Sequence, residues 1–580
     1  MVVSIPTFRL KITEGLIDVD TSADRLFGYC IEAPKGPVME PTFVASATEA
    51  EEMFGVNFKP HFYQKPTGLV ICRVGFDLMK KASFTWNVNL NTDAEGEKDI
   101  VPAITIEAVD PGVVNHKFLI APSLSNVSTY SLTVDIDGVT SKKYQSLPNL
   151  KSIVKRINNK FGSYVKATLH TMEAKGDETA AERQAKFDKV TPSQLQTTSG
   201  TGEPLTGELT GGSLGAYVQK NGELPTKKEN KQVVDRNGVT HNVEVNVLDE
   251  SKVTPIKGNT VDTTVAGTKD TDADANATLL KAYRAAFNKM KDVDILGLAT
   301  LSRAKVVRNE LIEHINEMND PEVAQLRFGV CGFLDYPEDE AETYIQPVDG
   351  TESLCEDARE IDNEYIIYIG QGVVFEEDGV KRNLYPYQAV QLYTGIRSAL
   401  GYAEAIFGGE PKKVLKGVVD VLPITTDNTI LVKEDREDLN EAGVNTFKKE
   451  YNEITFLEGV TTVQDNDVLS HESIMSIVMY VTKRLIEVAK PYQGQDLTED
   501  LKASLTTALS TELKNITDTD KTLISINEYN IPPYDVEVKS AAVVHFNEEN
   551  ELVRESKIII NCKIVPVGAL RDIDLGVIVI

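Results

Sequence analysis

The segment DIDLGVIVI that ends the sequence places Ile573, Leu575, Val577 and Val579 on a single face of an extended strand. No later element follows to cover that face. Such a strand has to pair within its own sheet, pair with another chain, or invite aggregation. The opposite end carries a related pattern. Residues 4–20 alternate, with Phe8, Leu10 and Ile12 on one face and Arg9 and Lys11 on the other, before any helical periodicity begins. A chain with a strand-forming arm at each end is expected to link to copies of itself.

At 580 residues the chain exceeds what one hydrophobic core usually organises, so about three or four domains are expected. With 41% hydrophobic and 26% charged residues it has the composition of a folded protein. The formal net charge of -28 argues against the phosphate backbone of nucleic acid as a principal partner. Cys30, Cys72, Cys331, Cys355 and Cys562 lie far apart and match no zinc or redox spacing, so they read as reduced, buried thiols. The start lacks the basic and apolar regions of a secretory signal. The apolar stretch 473–489 carries Lys483, Arg484 and Glu487, so no direct membrane insertion is expected.

Along the chain, residues 1–20 read as a linking arm and 21–80 as the N-terminal part of a core, with strand, turn and a short helix that Ser46 starts and Gly55 closes. Residues 81–190 read as a β-rich inserted domain with a helix near 149–160, and 191–275 as a polar, Gly- and Thr-rich insertion left without regular structure. Residues 276–460 alternate helices with apolar strands, among them EYIIYIGQGVVF as one strand, which predicts an α/β layer. Residues 461–580 hold two helices followed by the strands KIIINCKIV and DIDLGVIVI. The first of these helices ends at Pro491, and Thr498 is expected to cap the second.

A search for chemistry yields little. His314 lies within a helical pattern and His471 at a helix start, and G-x-S-x-G is absent. HESIM at 471–475 begins like a zinc-protease motif, but Met475 stands where the second His would sit. DTDAD at 270–274 lacks the turn Gly and the bidentate Glu of a calcium loop, with Ala275 and Lys281 in those places. The Gly-rich zone at 200–215 contains no phosphate-cradle pattern, and EDEAE at 338–342 reads as a solvated face. No catalytic, cofactor-binding or metal-binding residue is assigned, and no enzymatic activity is expected.

The order of these pieces resembles the tail sheath proteins of contractile phages. RLFGYCIEAPKGPVMEP followed by EEMFG is similar to that family's N-terminal signature, with a short apolar strand leading into an A-P-K-G-P turn. LTGGSLG at 209–215 resembles its Gly-Gly turn, although Leu214 stands where an acidic residue is usual and roughly sixty extra residues precede the next helix. DREDLNEAGVNTF at 435–447, the EGVTTVQD stretch and the paired helices resemble its linker into the C-terminal domain. The closing IIINCKIVPVGALRDIDLGVIVI carries the resemblance furthest.

The resemblance implies an α/β and α+β multidomain protein with a subtilisin-like-fold middle domain and a β-rich inserted outer domain. Its C-terminal α+β domain would exchange terminal strands between subunits, with Phe8, Leu10, Ile12, Ile573, Leu575, Val577 and Val579 as the linking residues. It also implies a helical homo-polymer around an inner tail tube protein, joined to baseplate and tail terminator proteins, in a virion tail assembled in the host cytoplasm. The sheath of a phage-derived bacteriocin or injection particle is the near alternative, and an α/β hydrolase the reading from another class.

Overall fold

The computed structural model describes residues 3–4, 8–9, 25–65, 68–91, 98–137, 140–196, 205–209, 216–217, 226–234, 240–248, 254–255, 273–332, 353–422, 438–525, 531–546 and 552–567, apart from positions 78, 303, 321–322, 324, 409, 451–452, 465, 467, 494 and 496–497. Its architecture is mixed α/β, with several separate sheets.

Phe27–Ile31, with the sequence FGYCI, is buried along its whole length and so needs cover on both faces. It lies inside a seven-stranded sheet of spatial order Val444–Asn445, Ile366–Ile369, Phe328–Gly332, Gly297–Thr300, Phe27–Ile31, Leu69–Arg73 and Thr42–Val44. All neighbouring pairs are parallel except the last. Strand alternation divides the core. Phe27, Tyr29 and Ile31 join the cluster that includes residues of the helices Pro386–Ala399 and Glu472–Ala489. Cys30 and Cys72 join the cluster that includes residues of the helices Ala273–Lys289, Lys305–Asn319 and Leu354–Ile361.

Residues 27–73 thus supply three strands of the same layer to which residues 297–445 supply four. The segment EYIIYIGQGVVF, expected as one strand, is two. Ile366–Ile369 belongs to the parallel sheet, whereas Val373–Glu377 pairs antiparallel with Val380–Leu384 and Val418–Val421. The break falls at the sequence Gly370-Gln371-Gly372, where backbones approach closely enough that a Cβ on Gly372 would lie 2.5 Å from the Leu384 carbonyl oxygen.

Between Leu69–Arg73 and Gly297–Thr300 the chain leaves this layer. Two four-stranded antiparallel sheets and the helix Leu150–Phe161 enclose a core of their own, with Trp86, Phe118, Tyr130 and Ile153 fully buried. Asn149 caps that helix in a reciprocal capping box with Ser152. Residues 191–275, expected without regular structure, contribute Leu195–Gln196 and Leu205–Glu208 to these sheets and form the hairpin Thr226–Val234/Thr240–Leu248. Thr240–Leu248 does alternate, with Val243, Val245 and Val247 between Asn242, Glu244 and Asn246, a pattern that the polar composition of the surrounding stretch obscured.

The A-P-K-G-P turn fastens this outer unit to the central layer. Gly36 has φ 98°, and a Cβ there would lie 2.8 Å from the Met53 carbonyl oxygen. Arg73, fully buried, donates from Nη1 to the carbonyls of Gly36 and Pro111, each at 2.7 Å. Burial pulls its guanidinium pKa down to about 10 against the opposing pull of Asp110. Val113 N donates to Pro34 O at 3.1 Å, and Lys35 pairs with Asp137.

The described C-terminal part comprises the helices Glu472–Ala489 and Glu499–Asn515 and the hairpin Tyr534–Phe546/Leu552–Ile564. The caps expected at Ser46 and Thr498 are present, accepting from Glu49 N and Leu501 N respectively.

Candidate subunit-linking site

The C-terminal hairpin arises from two period-two patterns. In Tyr534–Phe546 the half-buried Tyr534, Val536 and Val538 alternate with the exposed Asp535, Glu537 and Lys539. In Leu552–Ile564 the side chains of Ile560, Cys562 and Ile564 are buried on one face. Thirteen residue pairs run from Tyr534 opposite Ile564 to Phe546 opposite Leu552. The hairpin packs on the helix Glu499–Asn515, whose Leu505, Leu509 and Leu513 are buried in the same cluster. Burial pushes the Cys562 thiol up to about 12.

The second edge of Leu552–Ile564 is occupied by the N-terminal arm of the same chain. Val3 and Ser4 lie opposite Ile564 and Lys563, and Phe8 and Arg9 opposite Ile560 and Ile559, all antiparallel. The register shifts by one residue between these two short ladders, with Pro6, which cannot donate to a ladder, lying between them in sequence. Leu552–Ile564 is therefore a central strand, and no other strand pairs with the outer edge of Tyr534–Phe546 among the described residues.

Of the linking residues read from sequence, Phe8 has its backbone in this sheet. Leu10, Ile12, Ile573, Leu575, Val577 and Val579 lie outside the described residues. Sequence reading passed over Tyr534–Phe546, the longest partner of the central strand, although the alternation of Val536 and Val538 with charged neighbours was available as a signal.

The root of the arm is fixed to the stem of the hairpin domain. Arg25 donates from Nη1 to Leu400 O at 2.8 Å, and its guanidinium lies 5.2 Å from the centroid of the Tyr402 ring. Tyr402 stacks on Tyr480 with centroids 4.4 Å apart, and the Tyr480 hydroxyl donates to Asp520 Oδ2 at 2.7 Å. Burial, then the carboxylate of Asp520, raises the Tyr480 hydroxyl well above its usual pKa. Deeper in, Arg397 Nη1 donates to Glu472 Oε1 at 3.0 Å and Oε2 at 3.2 Å, and the Tyr393 hydroxyl donates to Oε1 at 3.1 Å. This fully buried group ties the helix Pro386–Ala399 to the helix Glu472–Ala489.

Elsewhere, a cavity of about 220 Å³ lies at the C-terminal ends of Phe27–Ile31 and Gly297–Thr300, lined by Glu32, Asn57, Tyr283, Arg382, Tyr387 and Gln391 among others. His314 is buried beside Phe287, and burial lowers its pKa to about 3. His471 forms the N-cap position of the helix Glu472–Ala489. The run 338–342 lies outside the described residues, as does 270–272 of the acidic loop. Among the described residues no helix is long and apolar enough to cross a membrane.

No protein-family model matches the sequence, and no curated protein is similar to it in sequence. Solved structures do resemble it, and they are sheath tail proteins and contractile sheaths. The sheath tail protein of Desulfitobacterium hafniense matches with a TM-score of 0.54 at 10% identity, over 94% of this chain and 99% of that one. A sheath tail protein of Listeria innocua matches with a TM-score of 0.49 at 11% identity, over 94% of this chain and 96% of that one. The helical sheath of the anti-feeding prophage in its contracted state matches with a TM-score of 0.35 at 13% identity, over 53% of this chain and 75% of that one. The first of these shows a shared fold along nearly the whole length of both chains.

Proposed function

We propose that the chain is the structural subunit of a contractile tail sheath, polymerising helically around an inner tube and contracting to drive that tube through a cell envelope. The observation that carries this reading is the arm lying on the edge of Leu552–Ile564, in a fold shared with a sheath tail protein.

A main-chain ladder on a sheet edge can be made equally well by an arm from the same chain or by one from a neighbour. Energetics permit exchange. Four paired arm residues contribute a few hydrogen bonds, each worth about 0.5–1.5 kcal/mol net. Ordering each residue costs about 1–2 kcal/mol, so the intrachain ladder is close to balance and releases readily to a neighbour. The outer edge of Tyr534–Phe546 would accept the C-terminal strand containing Ile573, Leu575, Val577 and Val579, and the arm would continue through Leu10 and Ile12. Because the donated and accepting surfaces differ, the contact is heterologous and generates a helix instead of a closed dimer.

In this reading the Arg25–Tyr402–Tyr480 stack transmits load between the arm and the hairpin stem, and contraction draws on interfaces elsewhere in the subunit. The seven-stranded layer covered on both faces is read as the subtilisin-like-fold middle domain, and the unit after residue 81 as the inserted outer domain. The partners are other copies of the chain, an inner tube, a baseplate and a tail terminator. The virion tail is the proposed location, with a phage-derived injection particle as the alternative setting.

Negative-stain microscopy of the purified chain tests the proposal. Tubes or rings are expected, and removal of residues 1–20 or 569–580 should abolish them. Unchanged assembly after both truncations would sink the strand-exchange mechanism.

A further inference from the structure

Two adjacent strands of the parallel layer lead the chain away in opposite directions. From Phe27–Ile31 it passes through the helices Ala47–Phe54 and Lys59–Gln64 to Leu69–Arg73 on one side. From Gly297–Thr300 it passes through the helix Lys305–Asn319 to Phe328–Gly332 on the other. The connecting helices cover opposite faces, since Phe54 and Phe62 join one core cluster and Val307, Leu311 and Ile315 the other. Diverging connections leave a crevice outside the carboxyl ends of the two strands, the position at which open α/β sheets take up ligands. The cavity of about 220 Å³ lies there, with Glu32 just past the end of one strand and Leu301 just past the end of the other. At about 30 Å³ per water its volume is that of about seven waters, enough for a small organic molecule.

Polar groups on the wall of this cavity are held without partners. Gln391 is 4% exposed, and its side-chain oxygen accepts no hydrogen bond among the described residues. The Nε and Nη2 atoms of Arg382 are buried and donate none among the described residues. The Arg382 guanidinium lies 5.1 Å from the centroid of the Phe375 ring, which holds it in place. Burial lowers its pKa, against the opposing pull of Glu51 and Tyr63. Nε and Nη2 form the edge of a guanidinium that takes both oxygens of a carboxylate side by side. The same edge of Arg284 does this with Glu310, at 2.7 Å for each bond.

We propose that the crevice binds a small zwitterion, an aliphatic α-amino acid, with its carboxylate side-on to Arg382 and its ammonium toward the oxygens of Gln391 and Glu32. Buried polar atoms without partners are unfavourable, so an occupant that brings an acceptor pair to Arg382 and a donor to Gln391 is favoured. Glu32, whose Oε1 accepts from the Tyr283 hydroxyl at 3.2 Å, puts a carboxylate on the same wall. Its charge disfavours a plain anion and selects a ligand that carries a cation as well. Ile31, Val56, Leu301 and Leu384 complete the lining and suit an aliphatic side chain. The proposal is independent of the sheath reading, because no residue of the arm or the terminal hairpin lines the cavity.

Isothermal titration calorimetry and thermal unfolding of the full-length chain test it, with L-leucine, L-isoleucine, L-valine and L-methionine as probes. A ligand that binds only the folded chain raises its thermal midpoint. At least one of the four should bind and raise the midpoint. For leucine as that ligand, 4-methylpentanoate, which lacks the ammonium, and isopentylamine, which lacks the carboxylate, should bind at least tenfold more weakly. Arg382→Met and Gln391→Leu should each weaken binding at least tenfold, and Arg382→Lys, which keeps the charge but not the two-toothed edge, should weaken it as well. Circular dichroism of the variants checks that each is folded.

Failure of all four amino acids to bind the parent chain leaves the crevice filled with solvent and overturns the proposal. Equal binding of the analogues that lack one charge overturns it, as does unchanged affinity in both folded variants Arg382→Met and Gln391→Leu. Loss of self-association in those variants, with no amino acid bound by the parent, assigns the crevice to a side chain of a neighbouring copy and also overturns it. Amino-acid binding by a chain that forms no tubes refutes the sheath reading alone.

Discussion

Ile564→Ala probes whether the C-terminal hairpin is the joint of the assembly. Ile564 is fully buried, pairs with Tyr534 on one side and Val3 on the other, and belongs to the core cluster shared with the helix Glu499–Asn515. Truncating a fully buried Ile to Ala costs about 2–5 kcal/mol, the spread depending on how far the site collapses. The lost methyls lie in that cluster, so the cost should appear in hairpin opening and not in the outer unit, whose core is separate. At about 1.4 kcal/mol per decade, amide exchange protection across 534–564 should fall by roughly 30-fold to a few thousandfold. Protection of residues 100–169 should remain as in the parent.

Hydrogen exchange followed by mass spectrometry on the chain at low concentration reads this directly, and microscopy of the same sample should show loss of tubes. Two results would refute the reasoning. Unchanged protection in the hairpin would mean that Ile564 does not hold it, and normal tubes despite an opened hairpin would mean that the hairpin is not the joint.

The buried group at the base of the hairpin domain leads to a second expectation. Glu472→Ala leaves Arg397 without its carboxylate and should destabilise the chain by about 3–5 kcal/mol, read as a lower urea midpoint for the helices 386–399 and 472–489. A Glu472→Leu/Arg397→Met pair should recover most of that loss. Thr498→Ala should cost about 1 kcal/mol, confined to exchange at the start of the helix Glu499–Asn515. Acid should act on the core early. Burial holds the pKa of His61 down to about 3 and that of His314 likewise to about 3, against about 6.5 in an unfolded chain. The unfolded state therefore binds more protons between these values, so stability is full above pH 6.5 and falls as pH drops toward 3. A denaturant midpoint that is flat from pH 7 to 4 would contradict this.

The outer unit should also loosen in acid. Burial acts to raise the pKa of Asp137, but hydrogen bonds from His116, Lys35 and the Asn115 amide outweigh it and hold the carboxylate well below its usual range. Its contribution is present above about pH 4 and is lost as pH falls below the usual carboxylate range. Asp137→Asn should weaken the Lys35 contact at neutral pH, read as faster exchange or proteolysis around residues 110–116.

Local chemistry made much of the chain legible from sequence. Ser46, Gly55 and Thr498 cap helices because a side-chain acceptor or a left-handed glycine satisfies helix-end groups wherever the helix later docks. The apolar runs FGYCI and GLAT had to be buried strands, since no helix of that length can form alone. What adjacency decides was not legible. Periodicity cannot reveal that residues 27–73 and 297–445 share one sheet, because strand neighbours are chosen by packing across more than two hundred residues of intervening chain. Nor could it name Tyr534–Phe546 as the mate of Leu552–Ile564, or the partners of the strands 205–208, 226–234 and 240–248, because alternation marks a strand without identifying its neighbour.

Sequence by itself determined period-two patterns at residues 4–12 and 573–579, and with them an expectation of strand pairing. Tertiary structure decided which edge receives the arm, because an edge exists only once its sheet has formed.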